Sequence, residues 1–279
     1  MIISSTASAI TAIRLRPRPK YLAIVVAAIQ RAITYRRSIL LNLLASLIWV
    51  TAQYYLWRAI FLASPTVGSF DWHQMQTYIL VSYAINTLFS FSSATMIHTI
   101  RTGDIAIELL HPVDFIKAQL AVALGSAVIE GLLSSSFTIL LGFWVLAIAL
   151  PASPLAAILF LPSVCLGFLI KFLINFLVAL LCFWTLNARG LIWTQTAVAN
   201  ILSGALVPIE FLPDWLKIIA LAAPFRATIY APLTIYLGIV QGTALWWTIT
   251  IQAFWVVALW WLAQRLWTEA VQALELQGG

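Results

Sequence analysis

A short polar segment, residues 98–114, carries a dense group of ionisable side chains in this chain of 279 residues. They follow one another at intervals of three or four residues, which would place them on one face of a helix. They are His98, Arg101, Asp104, Glu108 and His111, with Gly103 between them and Pro112 ending the helix. A face of mixed charge is typical of a helix that docks on a cytosolic partner. A solvated loop helix has the same pattern, and both interpretations stay open.

The sequence lacks the patterns that are typical of a di-iron site and of a nucleotide-hydrolysing site. Glu108 and His111 form a Glu-x-x-His pair, but a di-iron site needs two such pairs. The sequence has no second pair, so we expect no metal and no cofactor in this chain. It also lacks the G-x-x-x-x-G-K-[ST] phosphate-binding loop. If the protein pumps, another polypeptide must supply the energy.

Two ionisable residues, Glu130 and Lys171, lie deep inside long apolar runs. A charge at the centre of a bilayer costs roughly 3 kcal/mol or more, and such residues generally face the helix bundle and a partner. The two runs are joined by a short turn, so both residues should reach a similar depth. We predict a Glu130–Lys171 pair that fixes the register of two antiparallel helices, with a role in gating or substrate contact as the alternative.

The composition indicates what kind of fold must position these residues. The chain is 63% hydrophobic and 9% charged, whereas soluble domains carry about 25% charged residues. This predicts an all-α membrane protein without a sizeable soluble domain. The net charge of +6 comes from positive residues that cluster on one side of the predicted membrane domain. We therefore expect no nucleic-acid partner.

Apolar runs long enough to cross a bilayer predict a transmembrane domain over residues 39–267. Before it, residues 1–38 form a tail and an amphipathic interfacial helix at 21–37. After it, residues 268–279 form a polar tail. The six predicted spans cover residues 39–62, 72–97, 115–150, 155–186, 191–206 and 244–267.

The distribution of Lys and Arg predicts the orientation of these spans. Eleven of the fifteen lie on the side that carries both termini, and three lie on the other side. Because cytoplasmic loops collect positive residues, we expect both termini and residues 98–114 in the cytoplasm. Residues 203–238 are then outside. The alternative is an extra crossing within 203–238, which would place the C-terminus outside.

Residues 203–238, which we call the lid segment, are largely apolar but contain four prolines. Proline removes a helical hydrogen-bond donor and clashes with the preceding turn, so two clean crossings are not expected. Broken backbone at membrane depth is tolerated where protein or a water-filled cavity covers it. The lid segment is therefore predicted to form short helices that line a path. Its charged residues are expected to reach the interface and to cap these helices; they are Glu210, Asp214, Lys217 and Arg226.

Several motifs together resemble a known family. Residues 100–113 read Ile-Arg-x-Gly-Asp-Ile-Ala-x-Glu-Leu-Leu-x-Pro-Val, and residues 203–216 read Ser-Gly-x-x-x-Pro-x-x-x-x-Pro-x-Trp-Leu. Tyr35-Arg36 near the end of the interfacial helix, Pro224-Phe225, Pro232 and the Tyr-Leu-Gly of residues 236–238 complete the pattern. The chain resembles permease subunits of ABC-2 type exporters, and more narrowly the bacterial ABC-2 family transporter proteins that pair with a daunorubicin-resistance-like ATPase.

The resemblance implies a bacterial inner-membrane complex of several chains. Two ATPase subunits holding ATP and Mg²⁺ would join two permease subunits, identical or homologous, among membrane lipids. Residues 21–37 would be an elbow helix, and residues 100–113 a helix that couples to the ATPase. The lid segment would form re-entrant helices that cap the exit, with its key residues at Pro208, Glu210, Pro213, Trp215, Pro224, Phe225 and Pro232.

The resemblance also implies a substrate path at the interface between the two permeases, lined by the second and fifth spans. Its candidate residues are Phe89, Phe91, Thr194, Asn200 and Ser203. Apolar and aromatic lining suits an amphipathic or lipid-like substrate. Three alternatives stay open, namely an intramembrane lipid-modifying enzyme, a polysaccharide or glycolipid export permease, and a structural or assembly subunit.

Overall fold

Helices make up nearly the whole of the described chain. The computed structural model describes residues 20–34, 36–64, 66–68, 70–89, 91, 94–110, 113–146, 149–185 and 188–277. For some helical residues, Glu130 among them, it describes the backbone alone. The predicted all-α class is confirmed, with two-residue strands as a small addition.

The elements of the N-terminal half include a hairpin and an interrupted long helix. They are α1 Lys20–Thr34, α2 Arg36–Ala63, β1 Thr66–Val67, β2 Phe70–Asp71, α3 Trp72–Leu88, α4 Ala94–Thr102, α5 Ile105–Leu109, α6 Phe115–Ser126, a π-helical turn Ala127–Gly131 and α7 Leu132–Leu146. The strands are antiparallel, with Thr66 opposite Asp71 and Val67 opposite Phe70. The sequence predicted no strands.

The C-terminal half places short helices between three longer ones. They are α8 Pro154–Leu180, followed by a 3-10 turn Leu181–Phe183, α9 Ala188–Leu202, a 3-10 turn Ile209–Phe211, α10 Asp214–Ala222, a 3-10 turn Pro224–Ala227, α11 Tyr230–Tyr236 and α12 Thr243–Gln277. As its prolines predict, the lid segment contains no helix longer than nine residues. The last helix continues to Gln277, beyond the predicted end of the sixth span at residue 267.

Side-chain caps define where several helices begin. The Gln74 backbone N–H donates to Asp71 Oδ1 at 2.7 Å, and the Asp71 N–H donates back to Gln74 Oε1 at 3.2 Å. This reciprocal capping box satisfies two otherwise unpaired groups at the start of α3. Before α8, Ser153 accepts the N–H of Ala156 at 3.0 Å and Pro154 opens the helix.

Three helices in the described residues have the length and apolarity to cross a membrane. They cover Phe115–Leu140, Pro154–Phe183 and Thr243–Gln272. The predicted fifth span forms the 15-residue helix α9, which ends at Leu202. The prediction of six crossings therefore stays a prediction.

Helix α8 is a central element of the packing. It lies against α12 and α11, whereas α7 lies against α3 and α1 lies against α6. Fully buried residues of α8 such as Phe176 meet Trp267 of α12, which stacks on Phe115 with ring centroids 4.2 Å apart. The sequence placed the third and fourth spans side by side. In the described residues, the third span packs mainly on α1 and α3, and the fourth packs mainly on α12 and α11. A short connecting turn alone does not determine which helices become neighbours.

Candidate functional site

A cavity of about 370 Å³ lies among α3, α8, α9 and the 3-10 turn Pro224–Ala227 of the lid segment. Its lining combines aromatic, aliphatic and polar side chains. The lining residues are Asn86, Phe89, Phe91, Lys171, Ile174, Asn175, Ile192, Gln195, Thr196, Ala199, Asn200, Ser203, Phe225, Thr228 and Ile229. Because Lys171 belongs to the candidate span Pro154–Phe183, a cationic group faces this cavity from within a helix able to cross a membrane.

Lys171 is held by two residues at the end of α3. Its Nζ donates to Asn86 Oδ1 at 3.0 Å and lies 5.7 Å from the centre of the Phe89 ring. A cation at this distance from an aromatic ring is attracted to the ring face. The two contacts therefore fix the ammonium at the wall of the cavity and join α8 to α3.

A second polar link joins α8 to α9 on the same wall. Gln195 Nε2 donates to Asn175 Oδ1 at 2.9 Å, and Asn175 Nδ2 donates to the Phe91 carbonyl at 3.4 Å. Polar side chains inside membrane helices generally face the bundle interior and bind one another. This link therefore orders the cavity and leaves its surface rich in amide groups.

Four of the five residues predicted to line the path meet in this cavity. Phe89, Phe91, Asn200 and Ser203 all contribute to its wall. Thr194, an exposed residue of α9, does not contribute to it. The sequence did not identify Asn86, Asn175 or Gln195, although polar residues within apolar runs are themselves a signal of an internal site.

The predicted Glu130–Lys171 pair would join the π-helical turn to α8. The Glu130 side chain lies outside the described residues, so the pair stays a prediction. Its backbone belongs to the π-helical turn Ala127–Gly131, and the next residue, Gly131, packs directly on the backbone of Leu88. A Cβ at Gly131 would overlap the Leu88 carbonyl oxygen. The turn that carries Glu130 is thus fixed against the end of α3, from which Asn86 reaches Lys171.

The lid segment contributes part of the cavity wall. Phe225, Thr228 and Ile229 line the cavity beside Ser203. The fully buried Gln252 of α12 binds the lid segment and also binds α8. Gln252 Nε2 donates to the carbonyls of Ala227 at 2.8 Å and Ser163 at 3.1 Å, and Gln252 Oε1 accepts the Ser163 hydroxyl at 2.8 Å.

Two tyrosines make further polar contacts in the lid segment. Tyr78 of α3 donates its hydroxyl to the Gly204 carbonyl at 2.6 Å, and Tyr230 donates to Glu210 Oε1 at 3.3 Å. Burial raises the pKa of Tyr230, and the neighbouring Glu210 carboxylate raises it further. The Tyr230 phenol therefore stays protonated and remains a donor at physiological pH. Gly204 has φ +77°, a left-handed conformation that glycine adopts without strain.

The other predicted lid residues differ in their surroundings. Pro208 and Pro232 are buried, Pro224 is half-buried, and Pro213 is exposed. Trp215 is 65% exposed on α10. Phe211, which the sequence did not single out, packs between Trp57 of α2 and Phe70 of the hairpin at ring distances of 5.5 and 5.8 Å.

Within residues 98–110, the structure describes two short helices, α4 and α5, and not the single helix that the sequence predicted. Gly103 has φ +80° and separates α4 from α5. This break disrupts the predicted continuous polar face. Arg101 and Asp104 are exposed, and Asp104 Oδ2 accepts the Thr102 hydroxyl at 2.7 Å. Glu108 instead turns to α6, where Gln119 Nε2 donates to its Oε2 at 3.2 Å. His111 and Pro112 lie outside the described residues.

The helices, their lengths and their apolar surfaces define a polytopic helical membrane protein with an internal polar cavity. A family model described as ABC-2 family transporter protein matches residues 47–278. The chain therefore belongs to the ABC-2 family and is a membrane permease component of an ABC transporter, which works with ATPase partners. A search of curated proteins found no match.

Proposed function

We propose that this permease belongs to an exporter that uses ATP to move an amphipathic or lipid-like substrate across the bacterial inner membrane. Two separate ATPase subunits would hold ATP and Mg²⁺. A second permease subunit, identical or homologous, would complete the membrane unit. Both termini and residues 98–114 would lie in the cytoplasm, with the lid segment outside.

The mixed lining of the cavity is the observation that carries this proposal. Phe89 and Phe91 offer aromatic surface, while Asn175 and Asn200 offer hydrogen bonds. An amphipathic molecule satisfies both kinds of wall. Pockets for small molecules have volumes of about 300–1,000 Å³. The cavity, at about 370 Å³, thus fits a headgroup or a small amphiphile better than a polysaccharide chain.

The position of the lid segment supports an exit at its end of the cavity. Phe225 and Ile229 form part of the wall, so a displacement of these residues would open the cavity. Gln252 ties the adjoining Ala227 to α12 and α8. A movement of α12 against α8 would therefore act on the lid segment directly.

Exposed apolar residues of α5 support the docking of an ATPase. Ile105 is fully buried and anchors α5, whereas Ile107 is 61% exposed and Leu110 is 83% exposed. Exposed Arg101 and Asp104 lie close to them in sequence. An apolar patch with a charged rim is typical of a protein interface.

Co-purification of the chain with its ATPase tests the proposal. The wild-type chain, extracted in neutral detergent, should recover a protein with a phosphate-binding loop of the G-x-x-x-x-G-K-[ST] type. Arg101→Glu combined with Ile107→Asp should abolish this recovery. Glu269→Arg is the matched control, because Glu269 is exposed on α12 and paired only with Arg265 among the described residues at 3.7 Å. A folded wild-type chain that recruits no ATPase would contradict the proposal.

Three further measurements separate the alternatives. Inverted membrane vesicles that accumulate an amphipathic probe only with ATP would support export. Turnover of lipid by the purified chain without ATP would support the lipid-modifying enzyme. Loss of the ATPase without a matching phenotype would favour the assembly subunit.

A further inference from the structure

The cavity wall carries the positive charge of Lys171, and no carboxylate among the described lining residues balances it. Lys171 is the cation among its lining residues, and no Asp or Glu belongs to the described lining. The carboxamide of Asn86, which accepts from Lys171, is polar but carries no charge. Because a charge within the membrane is costly unless it is paired, the wall of this cavity favours a ligand that brings a negative charge.

The hydrogen-bonding capacity of the wall points in the same direction. A lysine ammonium has three donors, and among the described residues Asn86 takes one of them. Asn200 also lines the cavity and carries a side-chain amide that can donate two hydrogen bonds. An oxyanion with several acceptor oxygens can use both residues at once, because charged acceptors form the stronger hydrogen bonds.

Apolar residues border the charged part of the cavity. Phe89, Phe91 and Phe225 contribute aromatic surface, and Ile174 adds an aliphatic wall. The apolar portion of a ligand would lie against these residues while its charge lies at Lys171. The volume of about 370 Å³ accommodates a headgroup with the beginning of an alkyl or aryl part.

We propose that the cavity binds the anionic group of the transported substrate, a phosphate or carboxylate, with Lys171 as its counter-ion. This inference rests on the proposed function and narrows its substrate to an anionic amphiphile. It also gives Lys171 a role in ligand binding, where the sequence favoured a structural pair with Glu130.

Direct binding to the purified full chain tests this inference without an ATPase. The probes are dodecyl phosphate, dodecyltrimethylammonium and inorganic phosphate, each titrated in neutral-detergent micelles by calorimetry. We expect dodecyl phosphate to bind and dodecyltrimethylammonium, with the same alkyl chain, not to bind. Weak or no binding of inorganic phosphate would assign the site to an amphiphile, whereas equal binding would assign it to the free anion. Equal binding of both alkyl probes would overturn the inference.

Three variants identify the residue responsible. Lys171→Met should weaken the binding of dodecyl phosphate roughly ten- to a hundredfold, the range for hydrogen bonds to a charged group. Lys171→Arg should retain most of it, and so should Lys117→Met, which removes an exposed lysine of α6. Undiminished binding in a folded Lys171→Met protein would contradict the inference. If that variant does not fold, the comparison of probes on the wild-type chain still decides.

A Glu130→Gln variant separates this inference from the predicted ion pair. If Lys171 serves the ligand, Glu130→Gln should bind dodecyl phosphate at least as tightly as the wild-type chain. If dodecyl phosphate binds only to Glu130→Gln, the protein neutralises Lys171 itself and the inference is wrong. Either result leaves the recruitment of an ATPase, and hence the proposed function, as a separate question.

Discussion

The lid segment and the coupling region, residues 98–110, are both chains of short helices, yet they are held in different ways. Residues of the lid segment are tied down by buried hydrogen bonds to Tyr78 and Gln252. The coupling region is anchored by buried Ile105, while Ile107 and Leu110 face outward. Short helices are marginal by themselves, so tertiary contacts decide how each segment behaves.

This difference suggests that the two segments have different roles. The lid segment is part of the internal packing, and its displacement requires the rearrangement of buried polar contacts. The coupling region presents apolar surface that the described chain does not cover. We therefore expect substitutions in the first region to affect folding and substitutions in the second to affect assembly. Four variants test the contrast, and they follow in order of decreasing effect on stability.

Of these four variants, Gly167→Ala is expected to lose the most stability. Gly167 lies where α8 meets the lid segment, and an added Cβ would overlap the Thr228 carbonyl oxygen. Overpacking of this kind costs about 1–3 kcal/mol, and the obstacle here is backbone. Thermal unfolding in detergent should show a clear decrease in Tm. Leu161→Ala, at a 66% exposed position of the same helix, should have little effect, and an unchanged Gly167→Ala protein would disprove this close contact.

Gln252→Leu should rank second. It removes three hydrogen bonds and leaves the Ala227 and Ser163 groups without their partners. Buried unsatisfied groups cost about 1–3 kcal/mol, although measured values between membrane helices average about 0.6 kcal/mol. Gln264→Leu makes the same change at an exposed position of α12. Equal stability of the two variants would show that Gln252 does not hold the lid segment.

Tyr78→Phe should have a smaller effect. It deletes one hydroxyl, whose hydrogen bond to the Gly204 carbonyl is 2.6 Å long, and such a bond contributes about 0.5–1.5 kcal/mol. The aromatic ring remains packed on Phe70 at 5.7 Å, so the fold should be kept. Hydrogen exchange of the amides around Gly204 should accelerate. If these amides exchange as slowly as in the wild-type chain, the Tyr78–Gly204 hydrogen bond does not stabilise the lid segment.

Ile107→Asp should leave stability within about 0.5 kcal/mol, as expected for surface positions. Its effect should appear in assembly, as a loss of the co-purified ATPase. Ile105→Asp is the internal comparison, because Ile105 is fully buried and a charge there should prevent folding. An Ile107→Asp protein that unfolds would show that the coupling region is part of the packing, and the contrast with the lid segment would fail.

Much of the helical organisation follows from local signals in the sequence. The apolar runs predict spans from residues 72 and 155, and α3 and α8 begin at Trp72 and Pro154. The prolines of the lid segment predict its short helices. Of the predicted path residues, Phe89, Phe91, Asn200 and Ser203 do line one cavity.

The remainder depends on which helices meet, and sequence periodicity does not encode that. Lys171 contacts Asn86, a residue from another helix that no spacing rule connects to it. The break at Gly103 was missed because an isolated glycine is tolerated within a helical pattern. Thr194 shares the apolar run of Asn200, but it is exposed and does not line the cavity.

Both proposals for this ABC-2 permease depend on substrate binding in the cavity around Lys171. Photolabelling of the chain in liposomes with a diazirine-bearing alkyl phosphate, followed by peptide mass spectrometry, tests it directly. We expect labels on α8 near Ile174, on α9 near Asn200 and on the lid segment near Phe225, all reduced in Lys171→Met. Labels confined to lipid-facing positions of α2 and α12, and unchanged in Lys171→Met, would contradict it.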